Sequence, residues 1–463
     1  MDGKRMKLPL LMMGFAAASL VTARAQTFKV IHSFTNSPDG ANPCAVLVLS
    51  GGTLYGTTKF GGSGKGTVFK VDTNGTGFAR LTSLSDYTYA GLVLKDATLY
   101  GTTYGNFSYP AAPGAGTVFK IGTNGTGYTT LKDFDSGGGG VHPMGGLVLS
   151  GSTLYGTTSG NTAFKVSTNG TDFTVIRTFT NSPDGWDPEA GLVLDGSTLY
   201  GTTCQGGSST NGTVFKMDTN GTGYAILKSF SALNNCTNSD GANPYASLVL
   251  SGSTLYGTTC NGGVSSNGVV FKVDTNGTGF AVLKHFPALN NGTNSDGANP
   301  CAGLILDGST VYGTASAGGS SGNGTVFKIN TDGTGFAVLK HFPALNNGTN
   351  SDGGCPVAGL ILNGNTFYGT TDVGGSSGRG VVFSLTVPPE ILVNDASFGV
   401  RTNCFGFNVT GISNLVVVME ASTNLIKTNW VSVQTNALGA GPVYFSDSKW
   451  TNYHGRFYRV RVQ

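Results

Sequence analysis

Charged residues are scarce in this sequence, and their scarcity argues against nucleic acid as a binding partner. Asp, Glu, Lys and Arg make up 11% of the 463 residues, against about 25% in an average globular protein. The net charge is +3, and the only run of basic residues lies at the N-terminus. Because the neutralisation of phosphates requires clustered Lys and Arg, nucleic acid is not an expected partner.

Motifs for catalysis and metal binding are also missing. The sequence has five His, and none of them lies near a Ser or Cys in a nucleophile motif. It has no Cys-x-x-Cys pair and no Cys/His spacing typical of zinc sites. The sequence therefore predicts no catalytic residue, no metal site and no cofactor.

Glycine, in contrast, is abundant: 74 of 463 residues, or about 16%. The glycines do not recur at every third position, which excludes collagen. A hydrophobic content of 39% and an aromatic content of 10% argue against disorder, since disordered chains lack that much apolar surface.

The N-terminus has the features of a secretory signal peptide. Lys4, Arg5 and Lys7 precede an apolar run over residues 8–21, and Ala23-Arg24-Ala25 resembles a cleavage site. We therefore predict that residues 1–25 are removed and that the protein is exported to the periplasm, the medium or the cell surface. No second long apolar run follows, so no transmembrane segment is predicted.

A long repeat fills most of the remaining sequence. The motif Leu-Tyr-Gly-Thr-Thr, or a close variant, occurs seven times, with its Tyr at positions 55, 100, 155, 200, 256, 312 and 368. In the clearest copy, four β-rich runs cover residues 303–306, 310–314, 324–329 and 336–342. Turn residues, including Asn-Gly or Asp-Gly before the fourth run, separate these runs. Each copy is therefore predicted to be a four-stranded antiparallel meander.

Seven such meanders favour an all-β, seven-bladed β-propeller over a β-solenoid. The run at residues 28–34 aligns with the fourth run of each copy, whereas the seventh copy stops at its third run, residues 381–385. We therefore expect the N-terminal strand to complete the last blade and close the ring. The Gly of each Leu-Tyr-Gly motif is expected to make room for an aromatic ring of the adjacent blade.

The repeated Gly-Leu-x-Leu, Leu-Tyr-Gly-Thr-Thr and Gly-Thr-Val-Phe-Lys strings resemble the GloVer-type tandem repeat of secreted bacterial proteins over about residues 28–386. The resemblance implies an exported, often surface-associated protein without an established activity. The strand layout is also similar to that of kelch propellers. Residues 387–463 follow Pro388-Pro389 and are predicted to form a small β-sandwich whose last strand is similar to fibronectin type III modules. The predicted domains are thus 1–25, 26–386 and 387–463.

Long loops on one face of the propeller are the predicted location of a binding site. Five of these loops carry a full or partial Asp-Gly-x-Asn-Pro motif, which indicates either turn geometry or a weak site for Ca²⁺ or sugar hydroxyls. The fourth copy adds an aromatic side chain and a second carboxylate. The candidate binding residues are Asp39, Asn42, Asp184, Trp186, Asp187, Glu189, Asp240, Asn243, Asp296, Asn299 and Asp352.

Six of the seven cysteines are also predicted to lie on the long-loop face. Pairs between adjacent blades are expected, such as Cys301–Cys355, or Cys236 with Cys204 or Cys260. Six cysteines allow 15 pairings, so the sequence does not determine which pairs form. Free, buried thiols are the alternative.

Three functions remain open. The near-identity of the blades favours a non-enzymatic binding protein that recognises glycans or surface proteins, because catalysis requires residues that are not repeated. A polysaccharide hydrolase or lyase is the second hypothesis, with Asp187 and Glu189 beside Trp186 as its candidate cluster. A cell-envelope component without a ligand is the third.

Overall fold

A computed structural model describes residues 26–105, 115–134, 139–180, 182–401, 404–424, 429–453 and 456–463. The predicted signal peptide, residues 1–25, lies outside this part of the chain. The structure is all-β, and the helical element of the described residues is the short 3₁₀ turn Trp450–Asn452. No helix in the described ranges is long and apolar enough to span a bilayer. Gln26–Thr386 forms one compact unit, and Val387–Gln463 belongs to a second.

The first unit contains four-stranded antiparallel sheets that follow one another along the chain. The N-terminal strand β1 (Thr27–Ser33) belongs to the last of them. Sheet 1 consists of β2 to β5: Val48–Ser50, Thr53–Thr58, Gly66–Asp72 and Ala79–Leu84. Sheet 2 consists of β6 to β9: Val93–Lys95, Thr98–Thr103, Thr117–Gly122 and Thr129–Asp133. Sheet 3 consists of β10 to β13: Val148–Ser150, Thr153–Thr158, Thr162–Ser167 and Thr174–Thr178.

The same order continues through the second half of the unit. Sheet 4 consists of β14 to β17: Val193–Asp195, Thr198–Thr203, Thr213–Asp218 and Ala225–Ser229. Sheet 5 consists of β18 to β21: Val249–Ser251, Thr254–Thr259, Val269–Asp274 and Ala281–His285. Sheet 6 consists of β22 to β25: Ile305–Asp307, Thr310–Ala315, Thr325–Asn330 and Ala337–His341. Sheet 7 consists of β26 to β28 with β1 as its outer strand: Ile361–Asn363, Thr366–Thr371 and Val381–Thr386.

Turn chemistry sets the connection between the third and fourth strands of sheets 1 to 6. In sheet 4, Gly221 adopts a φ of 88°, which glycine reaches without steric cost. The side chain of Asn220 accepts a hydrogen bond from the backbone N–H of Thr222 at 2.9 Å. The predicted hairpin is confirmed here, since β16 and β17 pair in antiparallel fashion.

The glycine of the Leu-Tyr-Gly motif has a different neighbour from the one we expected. A Cβ on Gly201 would lie 2.6 Å from the ring of Phe215 and 2.8 Å from Leu192. Phe215 is the cross-strand partner of Gly201 in the same sheet. The expectation of an aromatic ring from the adjacent blade was therefore wrong. The glycine makes room for its own sheet's phenylalanine, which lies across the strand from it.

Hydrophobic clusters join neighbouring sheets. Tyr200 and Phe230 of the sheet 4 region share a cluster with Phe271 of sheet 5. In the same way, Phe34, which follows β1, packs with Phe69 of sheet 1. Because both faces of a sheet are covered, the strands carry apolar or small residues on both sides. This packing of consecutive four-stranded sheets is β-propeller-like.

The described residues of the second unit form seven strands in two sheets around one core. The first sheet consists of β29 (Glu390–Leu392), β30 (Gly399–Arg401), β31 (Cys404–Thr410) and β34 (Val443–Asp447). The second consists of β32 (Val416–Ser422), β33 (Val431–Ala437) and β35 (Phe457–Val462). Phe407 and Phe445 of one sheet pack with Met419 of the other, so the unit has two layers.

Candidate functional site

A central cavity of about 410 Å³ is lined by the segment that precedes the first strand of each sheet in the first unit. The lining segments are residues 44–46, 89–92, 144–147, 189–192, 245–247, 301–303 and 357–359. Their second residue is always Ala or Gly, so the cavity wall consists largely of small side chains and backbone.

The first residue of each lining segment differs from sheet to sheet, although the repeat around it is nearly constant. These partly exposed side chains, here called the variable ring, are Cys44, Tyr89, Met144, Glu189, Tyr245, Cys301 and Val357. A second variable set, the strand-end set, follows the second strand of each sheet. It consists of Lys59, Tyr104, Ser159, Cys204, Cys260, Ser316 and Asp372. Residues that are not repeated therefore concentrate around one end of the cavity.

The two sets contact each other. The ammonium group of Lys59 lies 4.6 Å from the ring centre of Tyr89, and the rings of Tyr89 and Tyr104 are 5.3 Å apart. The Tyr104 ring also stacks on His142 at 4.4 Å. Sheets 1 to 3 thus contribute an aromatic region with one basic group beside the cavity.

Sheet 4 contributes carboxyl groups and a thiol. The ligand atoms of Asp187, Glu189 and Cys204 all lie within 4.8 Å of one another. Glu189 lines the cavity, whereas Cys204 is only 1% exposed. The Cys204 thiol donates a hydrogen bond to Asp187, which also forms a hydrogen bond with the Glu189 carboxyl group. The structure therefore brings two of the predicted binding residues together and adds a cysteine to them.

Burial and mutual repulsion control protonation in this cluster. Burial, followed by the charge and hydrogen bond of Asp187, raises the pKa of Glu189 to about 7. Burial also raises the pKa of Asp187, although hydrogen bonds from Cys204 and Glu189 oppose that change. Burial and the two carboxyl groups raise the pKa of the Cys204 thiol well above its usual range. The cluster therefore retains protons near neutral pH in the absence of a cation.

Asp187 occupies a position where other sheets carry asparagine. Asn243 donates its side-chain N–H to the carbonyl of Cys204 at 2.9 Å, and Asn299 donates to the carbonyl of Cys260 at 3.0 Å. Asn42 makes the same contact with Asp372 at 2.7 Å. An aspartate has no N–H to donate. Thus three predicted asparagines link neighbouring sheets, while Asp187 is free for another role.

Trp186 lies next to this cluster in the sequence and is 40% exposed. Its backbone pairs with Gln205, as the backbone of Ala242 pairs with Asn261 in the following sheet. The corresponding residue of sheet 6 is Ala298. The indole ring is therefore an addition to an alanine position and is not part of the buried core.

The other five predicted aspartates contact a side chain on the outer strand of the preceding sheet. Four of these contacts are ion pairs, and Asp39 forms a hydrogen bond with His32, whose pKa is lowered by burial. The partners are His32 for Asp39, Arg177 for Asp184, Lys228 for Asp240, Lys284 for Asp296 and Lys340 for Asp352.

These contacts, here called the clamps, include an aromatic ring from the next sheet. The ammonium group of Lys284, for example, lies 4.3 Å from the ring of Phe336. Burial of Asp296 disfavours its ionised form, but hydrogen bonds from Lys284 and Ser295 outweigh that effect and lower its pKa. The clamps hold successive sheets together, so these carboxylates already have partners.

The disulfide joins neighbouring sheets, but with a different pairing from those we named. Cys260 and Cys301 are bonded, with their Cα atoms 4.7 Å apart. Cys301 is therefore not bonded to Cys355, and Cys204, Cys236 and Cys355 are free. The reason is that a strand-end residue lies against the variable-ring residue of the following sheet. At the corresponding contact of sheet 4, Tyr245 occupies the position opposite Cys204.

Sequence reasoning missed the tyrosines of the site. Tyr89, Tyr104 and Tyr245 lie in loops that either lack the Asp-Gly-x-Asn-Pro motif or carry it in its usual form, so the motif does not single them out. A comparison of the seven copies position by position reveals them, because each occupies a variable position in a constant frame.

A protein-family model described as the Gloeobacter/Verrucomicrobia repeat matches residues 19–163, 160–294 and 226–403. No curated protein matches the chain. Three solved structures show a distant likeness in fold. An oligogalacturonate lyase in complex with manganese is 14% identical, with 79% of this chain and 97% of that chain covered and a TM-score of 0.47. BamB from Moraxella catarrhalis is 13% identical, with 74% and 83% covered and a TM-score of 0.41. A nidogen/laminin complex is 14% identical, with 63% and 92% covered and a TM-score of 0.38.

Proposed function

Because the chain belongs to the Gloeobacter/Verrucomicrobia repeat family, we propose that its equivalent sheets are the seven blades of one closed propeller. Closure is supported by the pairing of β1 with β28 and by the cluster that packs Tyr368 of sheet 7 against Leu54 of sheet 1. The Thr370 hydroxyl also donates to the carbonyl of Ala45, as Thr258 does to Ala302 between sheets 5 and 6. The junction of the last and first sheets thus repeats the contacts found elsewhere.

The proposed domains are a signal peptide (1–25), the propeller (26–386) and a C-terminal β-sandwich module (387–463). Export is supported by the basic and apolar N-terminal sequence and by a disulfide in the first unit. In this proposal the second unit serves as a spacer or adhesion module.

The proposed function is binding of a carbohydrate at the end of the cavity that carries the variable ring. The observation that carries this proposal is the concentration of non-repeated side chains there. Trp186, Tyr89, Tyr104 and Tyr245 offer aromatic faces for sugar rings, and Glu189 offers hydrogen bonds to hydroxyls. A mostly apolar cavity with a few polar groups is typical of small-molecule sites. One asymmetric site on the axis, rather than seven equivalent sites on the loops, is therefore favoured.

The test is a glycan and surface-protein array, followed by titration of any bound glycan. Trp186→Ala is the informative variant, because alanine occupies this position in sheets 5 and 6 and the fold tolerates it there. We expect Trp186→Ala to weaken glycan binding by at least ~10-fold, the effect of losing about 1.4 kcal/mol. The control is Tyr453→Ala in the second unit, which removes an aromatic side chain that is also 40% exposed. A glycan bound equally well by Trp186→Ala, or an array with protein binders only, would contradict the proposal.

A polysaccharide hydrolase or lyase is the second candidate, and the Asp187–Glu189 pair is the observation that favours it. Its geometry is less suitable than that of the binding site. Two carboxyl groups that cleave a glycosidic bond flank that bond, at separations of about 5 Å or more. Here ligand oxygens of the two carboxyl groups lie within 4.8 Å of each other, which is closer than that separation. Turnover of a polysaccharide that is lost in Asp187→Ala would support this candidate.

A further inference from the structure

We propose that Asp187, Glu189 and Cys204 bind a divalent cation of the zinc type at the edge of the central cavity. This goes beyond the proposed carbohydrate function and also beyond the sequence, whose cysteine spacing predicts no metal. The three ligand atoms lie within 4.8 Å of one another. Two carboxylate oxygens and one thiolate sulfur belong to the ligand types that Zn²⁺ accepts.

The buried atoms of the cluster lack partners outside it. Cys204 is 1% exposed, and its thiol forms a hydrogen bond with Asp187. The Oδ1 atom of Asp187 is buried and has no hydrogen-bond partner among the residues that the structure describes. A buried acceptor without a donor is costly. A bound cation would satisfy this oxygen and the sulfur together.

The charges of the cluster are also unbalanced. Among the described residues, no basic side chain forms an ion pair with Asp187 or Glu189, whereas four of the five clamp aspartates pair with an Arg or a Lys. Asp372, at the strand-end position of sheet 7 that corresponds to Cys204, has the positive charge of Lys59 nearby. Buried carboxylates are normally paired with a cation or coordinate a metal. Sheet 4 thus provides the carboxyl groups of such a pair or metal site, but no Lys or Arg side chain to balance them.

Neighbouring sheets explain why Cys204 is available. Cys204 and Cys260 occupy the same strand-end position, but Cys260 is bonded to Cys301. Tyr245 stands where Cys301 stands in the next sheet, so Cys204 keeps its thiol even where disulfides form. On binding, the thiol proton passes to solvent and the sulfur becomes a cation ligand. Glu189 lines the cavity, which leaves a further coordination position open toward it.

Titration of the full chain with Co²⁺, a spectroscopic substitute for Zn²⁺, tests the proposal. The chain is handled under argon without reductant, so that the Cys260–Cys301 disulfide stays intact. We expect one ion per chain and a thiolate-to-cobalt charge-transfer band that is absent in Cys204→Ser. The matched control, Cys236→Ser, removes an exposed free cysteine and is expected to keep the band.

Equilibrium dialysis with Zn²⁺ provides a second measurement. Asp187→Asn introduces the residue that sheets 1, 5 and 6 carry at this position, so its folding is expected to be preserved. It should weaken Zn²⁺ binding by at least ~10-fold, a loss that even outer-shell changes can cause. A wild-type chain without the charge-transfer band would overturn the proposal. A band that survives Cys204→Ser, or Zn²⁺ affinity unchanged in Asp187→Asn, would overturn it as well.

Discussion

Sheets 4 and 5 share one frame and differ where they face the cavity. Both place a Phe across from the Gly of the second strand, Phe215 with Gly201 and Phe271 with Gly257. Both also connect to the preceding sheet through a clamp. In the segment that leads to the cavity, however, sheet 4 carries Trp186, Asp187 and Glu189 where sheet 5 carries Ala242, Asn243 and Tyr245. Glu189 and Tyr245 line the cavity itself. The frame therefore encodes the fold, and the variable positions are available for a ligand.

The largest expected effect comes from deletion of residues 26–35, which removes β1 from sheet 7. Phe34 alone is fully buried, and loss of a buried Phe side chain typically costs about 3–5 kcal/mol. Removal of the whole strand should abolish cooperative thermal unfolding of the first unit, as measured by calorimetry. An unchanged melting temperature would show that β1 is not part of the frame.

A second comparison is between a disulfide-bonded cysteine, Cys301, and a free one, Cys204. The chain-entropy model gives a disulfide that closes a loop of 41 residues a contribution of about 4 kcal/mol at most. Cys301→Ser is therefore expected to lower the free energy of unfolding by about 2–4 kcal/mol. Cys204→Ser, without added metal, should have a smaller effect because Cys204 has no disulfide. Denaturant titration of both variants measures the difference, and equal losses would argue against a structural role for the bond.

The clamps predict a dependence of stability on pH. Burial disfavours the ionised forms of Asp296 and Asp352 in the folded protein. Hydrogen bonds from Lys284 and Ser295, and from Lys340 and Ser351, together with the lysine charges, outweigh burial and lower both pKa values. In the unfolded chain an Asp titrates at about 3.9. The stabilisation is thus fully present above about pH 4 and is lost as the pH falls through the lower folded values.

The double variant Asp296→Asn, Asp352→Asn tests this dependence. It should be less stable than the wild type at neutral pH by about 1–3 kcal/mol, because charge-assisted hydrogen bonds are lost. The difference should shrink below pH 4 in thermal melts recorded over a pH series. A difference that stays constant with pH would mean that the clamp charges contribute nothing.

Much of the shared strand and turn pattern of the sheets could be predicted, because the same strand and turn residues recur in seven copies. The four runs per copy, the Asn-Gly turn and the N-terminal run that pairs with β28 all follow from strand patterns and turn residues. The neighbour of Gly201 was misassigned, because a strand pattern does not reveal which face of which sheet covers a residue. The tyrosines of the variable ring carry no local motif, and their importance emerges only from a comparison of copies.

The sequence by itself determined the repeat, its strands and its turns, because these depend on hydrophobic alternation and on the backbone preferences of Gly, Asn and Asp. The tertiary structure decided which side chains meet. It placed Asp39, Asp184, Asp240, Asp296 and Asp352 in clamps, and it paired Cys301 with Cys260. It also brought Cys204 to Asp187 and Glu189. Such contacts depend on how sheets pack against one another. The residue pattern of a single strand does not determine the distances between sheets.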